Sequence, residues 1–286
     1  MRHGALQPWM GAALIFTLTA VLPGCAVTPN EGGQTFRQRA HAQALTDITA
    51  EDVRAEINFG REVAARVLGR FPLLRNERLT RYVSLVGTAL AAQSGRPELN
   101  YHFAILDSDS VNAYSAPGGY IFITRGALEM AKDEAELAAV LAHEIAHVSE
   151  RHIVKALNIH ASDNSGAAGL GRMLGAGSDT ARVAFMQALD QAVKILFENG
   201  YSQQDELQAD RMATLLLVNT GLDPLALRRY LARVQTIDNK TQAINTTHPP
   251  SAERLESLDR LITEEHLIGL DMARNTTRFN RYVKTP

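Results

Sequence analysis

Histidine, glutamate and histidine stand at positions 143, 144 and 147 in the order H-E-x-x-H. On an α-helix four residues advance about 400° and about 6 Å, so His143 and His147 leave from one face and both imidazoles can reach a single metal ion. Glu144, turned about 100° from His143, can take a proton from water without being a ligand itself, which is what a general base requires. Catalytic zinc usually takes three protein ligands and keeps one position open, so a third must come from elsewhere. Glu206-x-x-x-Asp210 offers two carboxylates on one face of a predicted helix. Glu206 can complete a His/His/Glu set, and Asp210 can accept the outer N–H of a ligand imidazole and fix its tautomer. Each motif also has a plainer reading: two core histidines bonded to backbone carbonyls, and two solvated acids on a helix surface. Against the first, residues 137–148 are apolar on almost every face, where unpartnered His and Glu side chains are costly.

The elements that must position these side chains follow from periodicity and caps. Asp133 with Glu136 forms a capping box, and Leu137, Leu141, Ile145 and Val148 share one face, which predicts a long helix from about Asp133 to beyond His152. Such a helix turns His152 about 180° from His143, as a packing or hydrogen-bonding residue away from the metal. Further helices are predicted over 51–68, 79–92, 181–198, 203–218, 225–234 and 252–262. Gly221 closes the fourth of these, and Asp223-Pro224 opens the fifth. Residues 101–106 and 120–124 are short and rich in aromatic and β-branched side chains, which predicts strands. Between them runs Asn112-Ala113-Tyr114-Ser115-Ala116-Pro117-Gly118-Gly119. Glycines at 166, 169, 171, 175 and 177 mark residues 162–178 as a loop or a broken helix. The expected class is α+β, mainly α, with a small sheet.

The chain has 286 residues, 45% hydrophobic and 21% charged, a globular composition with material for a sizeable core. Its 29 Lys+Arg against 31 Asp+Glu, without a basic run, argue against nucleic acid as a partner. One cysteine, Cys25, excludes an internal disulfide. Met1 to Gly24 reads as a signal peptide: Arg2 supplies the positive start, and the apolar run from Gly11 to Val21 is too short for a typical membrane helix. Leu22-Pro23-Gly24-Cys25 resembles a bacterial lipobox, with Pro23 departing from its commonest form. That resemblance implies cleavage before Cys25 and acylation of its thiol and new amino group, a stable membrane anchor without a transmembrane helix. Ala26 in place of Asp points, by the same resemblance, to the outer membrane. A plain secretory signal with Cys25 near the cut is the alternative. The expected organisation is a signal peptide over 1–24, a lipidated N-terminus and flexible linker over 25–50, a domain carrying the metal motif over 51–265 and a tail over 266–286.

Taken in order, Asn112-Ala113, Pro117-Gly118-Gly119-Tyr120, His143-Glu144-x-x-His147 with Arg151-His152, Glu206-x-x-x-Asp210, His248-Pro249 and Arg254 resemble the CAAX prenyl protease/HtpX family of zinc metalloendopeptidases, in its periplasmic lipoprotein form. The resemblance spans roughly residues 51–261. It implies a zincin-like domain whose small sheet flanks the active-site helix, and one Zn2+ per chain held by His143, His147 and Glu206. Glu144 then activates water and Asp210 supports the site. Gln208 replaces the second Glu of the family's E-x-E-A-D, at a position not expected to be a ligand. The resemblance also has strand 120–124 flank the cleft, its edge free to pair with an extended substrate beside Pro117, Gly118, Gly119 and Tyr120. An ordinary hairpin turn is the other reading of that glycine pair. His248 is either a surface residue or an imidazole that reaches the zinc and closes the site, with Arg254 adding polar contacts. Tyr201 and Arg254 are the candidate oxyanion donors. The implied substrates are misfolded or stalled envelope and outer-membrane proteins, met in the bacterial periplasm near the outer-membrane assembly machinery. A chaperone-like assembly factor in which proteolysis is secondary is the rival.

Overall fold

The computed structural model describes Met1 and residues 48–159, 179–236, 247–248 and 252–284. Cys25 with its lipobox-like sequence, the expected linker as far as residue 47, and the glycine-rich 162–178 lie outside the described residues. The first helix, α1 (Ala50–Arg70), starts at a reciprocal cap in which Thr49 Oγ1 accepts from Asp52 N–H and the Asp52 carboxylate accepts from Thr49 N–H. Helix α2 (Glu77–Ala91) is capped by Asn76. Three strands follow, β1 (His102–Leu106), β2 (Ala113–Ala116) and β3 (Tyr120–Thr124), then a short helix α3 (Arg125–Met130).

The sheet order is β1-β3-β2. β3 runs parallel to β1, with Phe103 opposite Ile121, and antiparallel to β2, with Tyr114 opposite Phe122. This corrects the expectation of a substrate edge at Tyr120: β3 is the central strand, hydrogen-bonded on both sides, and an edge of the sheet belongs to β2. Pro117, Gly118 and Gly119 are the turn between β2 and β3. Gly118 (φ 77°) and Gly119 (φ 100°) both occupy backbone conformations that other residues avoid. A Cβ on Gly118 would sit 2.7 Å from the Ile57 backbone of α1. The turn is therefore pressed against α1, and the glycine pair is explained by packing.

Helix α4 (Glu134–Ser149) carries the H-E-x-x-H motif and is capped by Asp133, which accepts from Glu136 N–H at 2.9 Å. Every residue from Glu134 to Val148 is buried. Alanines at 135, 138, 139, 142 and 146 are what allow α2, β2 and two later helices to approach it on all sides. The expected continuation past His152 does not occur. Arg151 adopts a left-handed conformation (φ 58°), the helix stops at Ser149, and a new short helix α5 (His152–Ala156) begins.

The remaining helices are α6 (Asp179–Lys194), passing into a π-helical turn at Ile195–Asn199, α7 (Gln203–Asn219), α8 (Ala226–Gln235) and α9 (Ala252–Glu264). Ser202 caps α7, and Gly221 (φ 76°) ends it with a Leu222 N–H to Leu217 C=O bond. A last short helix, α10 (Thr276–Phe279), ends in a π turn at Asn280–Lys284. The domain does not stop at 265 as expected: Phe279 is fully buried, Tyr282 stacks on Tyr82 of α2 at 4.5 Å, and Arg278 pairs with Glu134 at the start of α4. No helix among the described residues is long and apolar enough to cross a membrane.

One buried charge cluster locks the far end of α4. Glu56 of α1 is fully buried and accepts from Arg96 at 3.1 Å and Arg151 at 3.0 Å, while Arg96 also donates to Val148 C=O. The same carboxylate lies 3.4 Å from Gly118 N–H, so α1, the β2–β3 turn and the end of α4 share one anchor.

Gly118→Ala combines a strained φ with a clash against helix backbone. It is expected to cost on the order of 1–3 kcal/mol or more, read as a lowered urea midpoint. An unchanged midpoint would mean that the turn is free to move.

Candidate metal centre

Helix α7 packs along α4, and this crossing brings Glu206 to the two histidines. His143 Nε2 and His147 Nε2 are 3.1 Å apart, and Glu206 places Oε2 at 3.4 Å from the first and Oε1 at 3.5 Å from the second. His248, in the segment before α9, adds Nδ1 at 2.8 Å from Glu206 Oε1 and 3.4 Å from His143 Nε2. The four donor atoms lie within 4.8 Å of one another, and all four residues are buried. A tetrahedron with ligands at about 2.05 Å from its centre has edges of about 3.3 Å, so the spacings match a zinc-sized ion. The chemistry of the donor set fits as well, because several buried lone pairs converge where one proton cannot satisfy them all.

Glu144 leaves α4 beside the cluster. Among the described residues its Oε2 is buried and has no hydrogen-bond partner, and its Oε1 lies 3.7 Å from His248 Nε2. An acceptor left open there is what a proton-abstracting carboxylate needs.

Each of the clustered donors is held from behind. His143 Nδ1 lies 3.0 Å from Asp210 Oδ1, one turn along α7 from Glu206. Arg254 of α9 clamps both acids: its Nε and Nη2 contact Asp210 at 2.8 and 2.6 Å, and its Nη1 contacts Glu206 Oε2 at 2.8 Å. His147 Nδ1 meets His152 Nδ1 at 2.8 Å, and the Tyr201 ring stacks on His147 at 3.8 Å. If Nε2 of His147 faces the metal, its Nδ1 must carry the proton and donate to His152. His152 Nε2–H is then left to donate to Gln208 Oε1 at 3.3 Å, and Gln208 passes its amide hydrogen to Glu150. The tautomers are set along the whole chain.

The buried charges act on the two imidazoles in opposite directions. Burial opposes charge on His143, but its hydrogen bonds to Asp210 and Glu206 outweigh that and lift its pKa to about 9. His147 is driven well below the ordinary imidazole value by burial and by the neighbouring His143. Burial alone would raise Glu206 and Asp210. The charges of His248 and Arg254 hold Glu206 well below the carboxylate range, and Arg254 and His143 lower Asp210. Burial, with Glu144 nearby, keeps the Tyr201 phenol protonated.

The structure thus gathers His143, Glu144, His147, Glu206, Asp210, His248 and Arg254 in one place, and leaves Pro117 to Tyr120 in a turn and a central strand. Arg254 is committed to the two acids of α7 and is not free to serve as an oxyanion donor. His152 is not among the clustered donors and is a hydrogen-bonding residue, as expected, but the helix break at Arg151, which no glycine marks, sets it behind His147. Glu56 with Arg96 and Arg151 was missed too, as residues 40 and 95 positions apart carry no local signal.

A buried motif helix, a second helix supplying Glu206 and a small sheet together define a metallopeptidase-like domain. The chain belongs to peptidase family M48, whose family model matches residues 77–262. It is 27% identical over 209 residues to the beta-barrel assembly-enhancing protease of Escherichia coli (strain K12), covering 70% of this chain and 42% of that protein. To the mitochondrial metalloendopeptidase OMA1 of Schizosaccharomyces pombe it is 29% identical over 192 residues, covering 65% and 53%. To the human mitochondrial metalloendopeptidase OMA1 it is 28% identical over 177 residues, covering 59% and 34%. The chain spans about half or less of the length of these curated relatives.

His152→Ala removes the acceptor that orients His147. It is expected to weaken metal binding roughly 10–100-fold, measured by competition with a fluorescent chelator, while far-UV circular dichroism stays unchanged. Equal affinity for the two proteins would refute the tautomer chain.

Proposed function

We propose that the protein is a zinc-dependent metalloendopeptidase with His143, His147 and Glu206 as metal ligands and Glu144 as general base. The convergence of those three donor groups, with an unpartnered Glu144 oxygen beside them, carries this reading. When bound, zinc supplies Lewis-acid polarisation of the scissile carbonyl and a lowered pKa for the attacking water. Glu144 accepts the water proton and returns it to the departing amine. Asp210 and His152 hold the two imidazoles in the required tautomers, and Arg254 keeps Glu206 ionised. An extended substrate would add to the sheet at β2 rather than β3.

The substrates we propose are misfolded or stalled envelope proteins, with Cys25 acylated and the domain tethered in the periplasm, at the outer membrane. The similarity to a bacterial beta-barrel assembly-enhancing protease supports this, as does the lipobox-like sequence. His248 belongs to the same proposal: with Nδ1 in the donor cluster it fills the position that water needs, and the enzyme rests closed. That observation also favours a second reading, a chaperone-like assembly factor that cleaves rarely.

Purified protein is expected to contain about one zinc per chain and to digest casein in a chelator-sensitive way. Glu144→Gln should retain the metal and lose roughly 10²–10⁴-fold in rate. A folded preparation that takes up no zinc would defeat the assignment, and full rescue of envelope defects by Glu144→Gln would favour the chaperone. His248→Ala should raise casein turnover if the imidazole closes the site, and a fall in turnover would make it a working ligand instead.

A further inference from the structure

Three separate stretches of the chain bring cations to one face. Arg78 of α2 donates from Nη2 to Arg281 C=O at 2.8 Å and lies over the Tyr282 ring at 5.1 Å, which sets the π turn at Asn280–Lys284 against the first turn of α2. Lys284, at the end of that turn, donates to Glu129 C=O of α3. Burial and then the charge of Lys132 lower the Lys284 pKa, so Lys132, at the joint of α3 and α4, belongs to the same face. Arg81 and Leu85 continue the stripe of Arg78 along α2, three and seven residues on.

Arg78, Arg81, Lys132, Arg281 and Lys284 are all exposed, and among the described residues none forms an ion pair with an acid. The acids nearby are Glu77, one residue before Arg78, and Glu129, which faces Arg125 at 3.7 Å. The whole chain carries a formal charge of −2, so the fold and not the composition makes this face basic. Cations held together without acids are free to meet an anionic partner. The side chains among them narrow its class. Leu85 is 64% exposed, and Tyr282 presents a half-buried ring, an apolar side chain and an amphipathic one of the kind that settles between lipid head groups and acyl chains. An acyl anchor at Cys25 would fix nearness to a bilayer but not which face of the domain meets it.

We propose that this face seats the domain on an anionic phospholipid surface, with the start of α4 towards the head groups and His143 about 14 Å further along that helix. The proposal rests on the envelope placement proposed above and is independent of the peptidase chemistry.

Cys25→Ser in the full chain removes the acylation site, and every protein compared carries it. Binding is read by flotation with vesicles of phosphatidylglycerol and phosphatidylethanolamine, against vesicles of phosphatidylcholine alone. It should require the anionic lipid and fall as salt rises from about 50 mM to about 500 mM. Arg81, Lys132 and Arg281 make no side-chain hydrogen bond or ion pair among the described residues. Their combined replacement, Arg81→Glu, Lys132→Glu and Arg281→Glu, should weaken binding roughly 100-fold while circular dichroism stays unchanged. A control triple at exposed positions of α1, α6 and α9, Arg61→Glu, Arg182→Glu and Arg260→Glu, makes the same change in net charge and should bind as before. Equal binding to both kinds of vesicle, or equal losses in the two triples, overturns the proposal. Mass spectrometry of Cys25 in protein extracted from membranes reads the anchor separately. Acylated protein whose Cys25→Ser form ignores the anionic vesicles loses the seat and keeps the tether, and unacylated protein that binds them keeps the seat and loses the tether.

Discussion

Two carboxylates one turn apart on α7 have to stay ionised inside an apolar core, and the Arg254 guanidinium is what allows it. Glu206 and Asp210 are both almost fully buried, as is Arg254, and its three nitrogens reach both acids. Without a fixed cation, burial would push both acids towards the neutral form, and neutral acids are poor partners for a metal and for an imidazole N–H. Removing one partner of such a group leaves an uncompensated buried charge, among the more expensive defects a core can suffer. The rest of the centre depends on this pairing, because His143 takes its orientation from Asp210 and the donor cluster takes its carboxylate from Glu206.

Around that pairing the scaffold is rigid by construction. Helix α4 has no solvent face from Glu134 to Val148, and it is pinned at both ends by buried ions. At its start, Glu134 is held by Arg278, Asn275 and the Tyr82 hydroxyl, and Glu136 by Arg233. At its end, Glu56 holds Arg96 and Arg151. A motif helix so enclosed cannot shift its histidines without disturbing the main core, so the geometry is fixed before any ligand arrives.

Much of this was legible in the sequence, and the reasons are local. H-E-x-x-H and E-x-x-x-D are helical spacings, so the residues that share a face can be named from the numbers alone, and α4 carries its cap, Asp133, in plain view. Gly221 closes α7 as read. What was not legible depends on long-range pairing or on an unmarked backbone change. β2 is four residues of Ala-Tyr-Ser-Ala with little strand signal, so the strand order, and with it the identity of the edge, could not be read. The left-handed Arg151 falls on a residue with no special liking for that conformation, and it returns His152 to the centre. The polar stretch from 266 looked like a tail because its anchors, Phe279 and Tyr282, are single side chains without periodicity.

One contact links His248 to the pairing beneath the centre. The carbonyl of His248 accepts from Arg254 Nη1 at 3.4 Å, from the same guanidinium that clamps Glu206 and Asp210. The bond is long, whereas the contacts to the acids are 2.6 to 2.8 Å. Withdrawing the imidazole would therefore give up its 2.8 Å contact with Glu206 and at most this long bond, while the pairings of Arg254 with both acids stay intact and the seat keeps its shape.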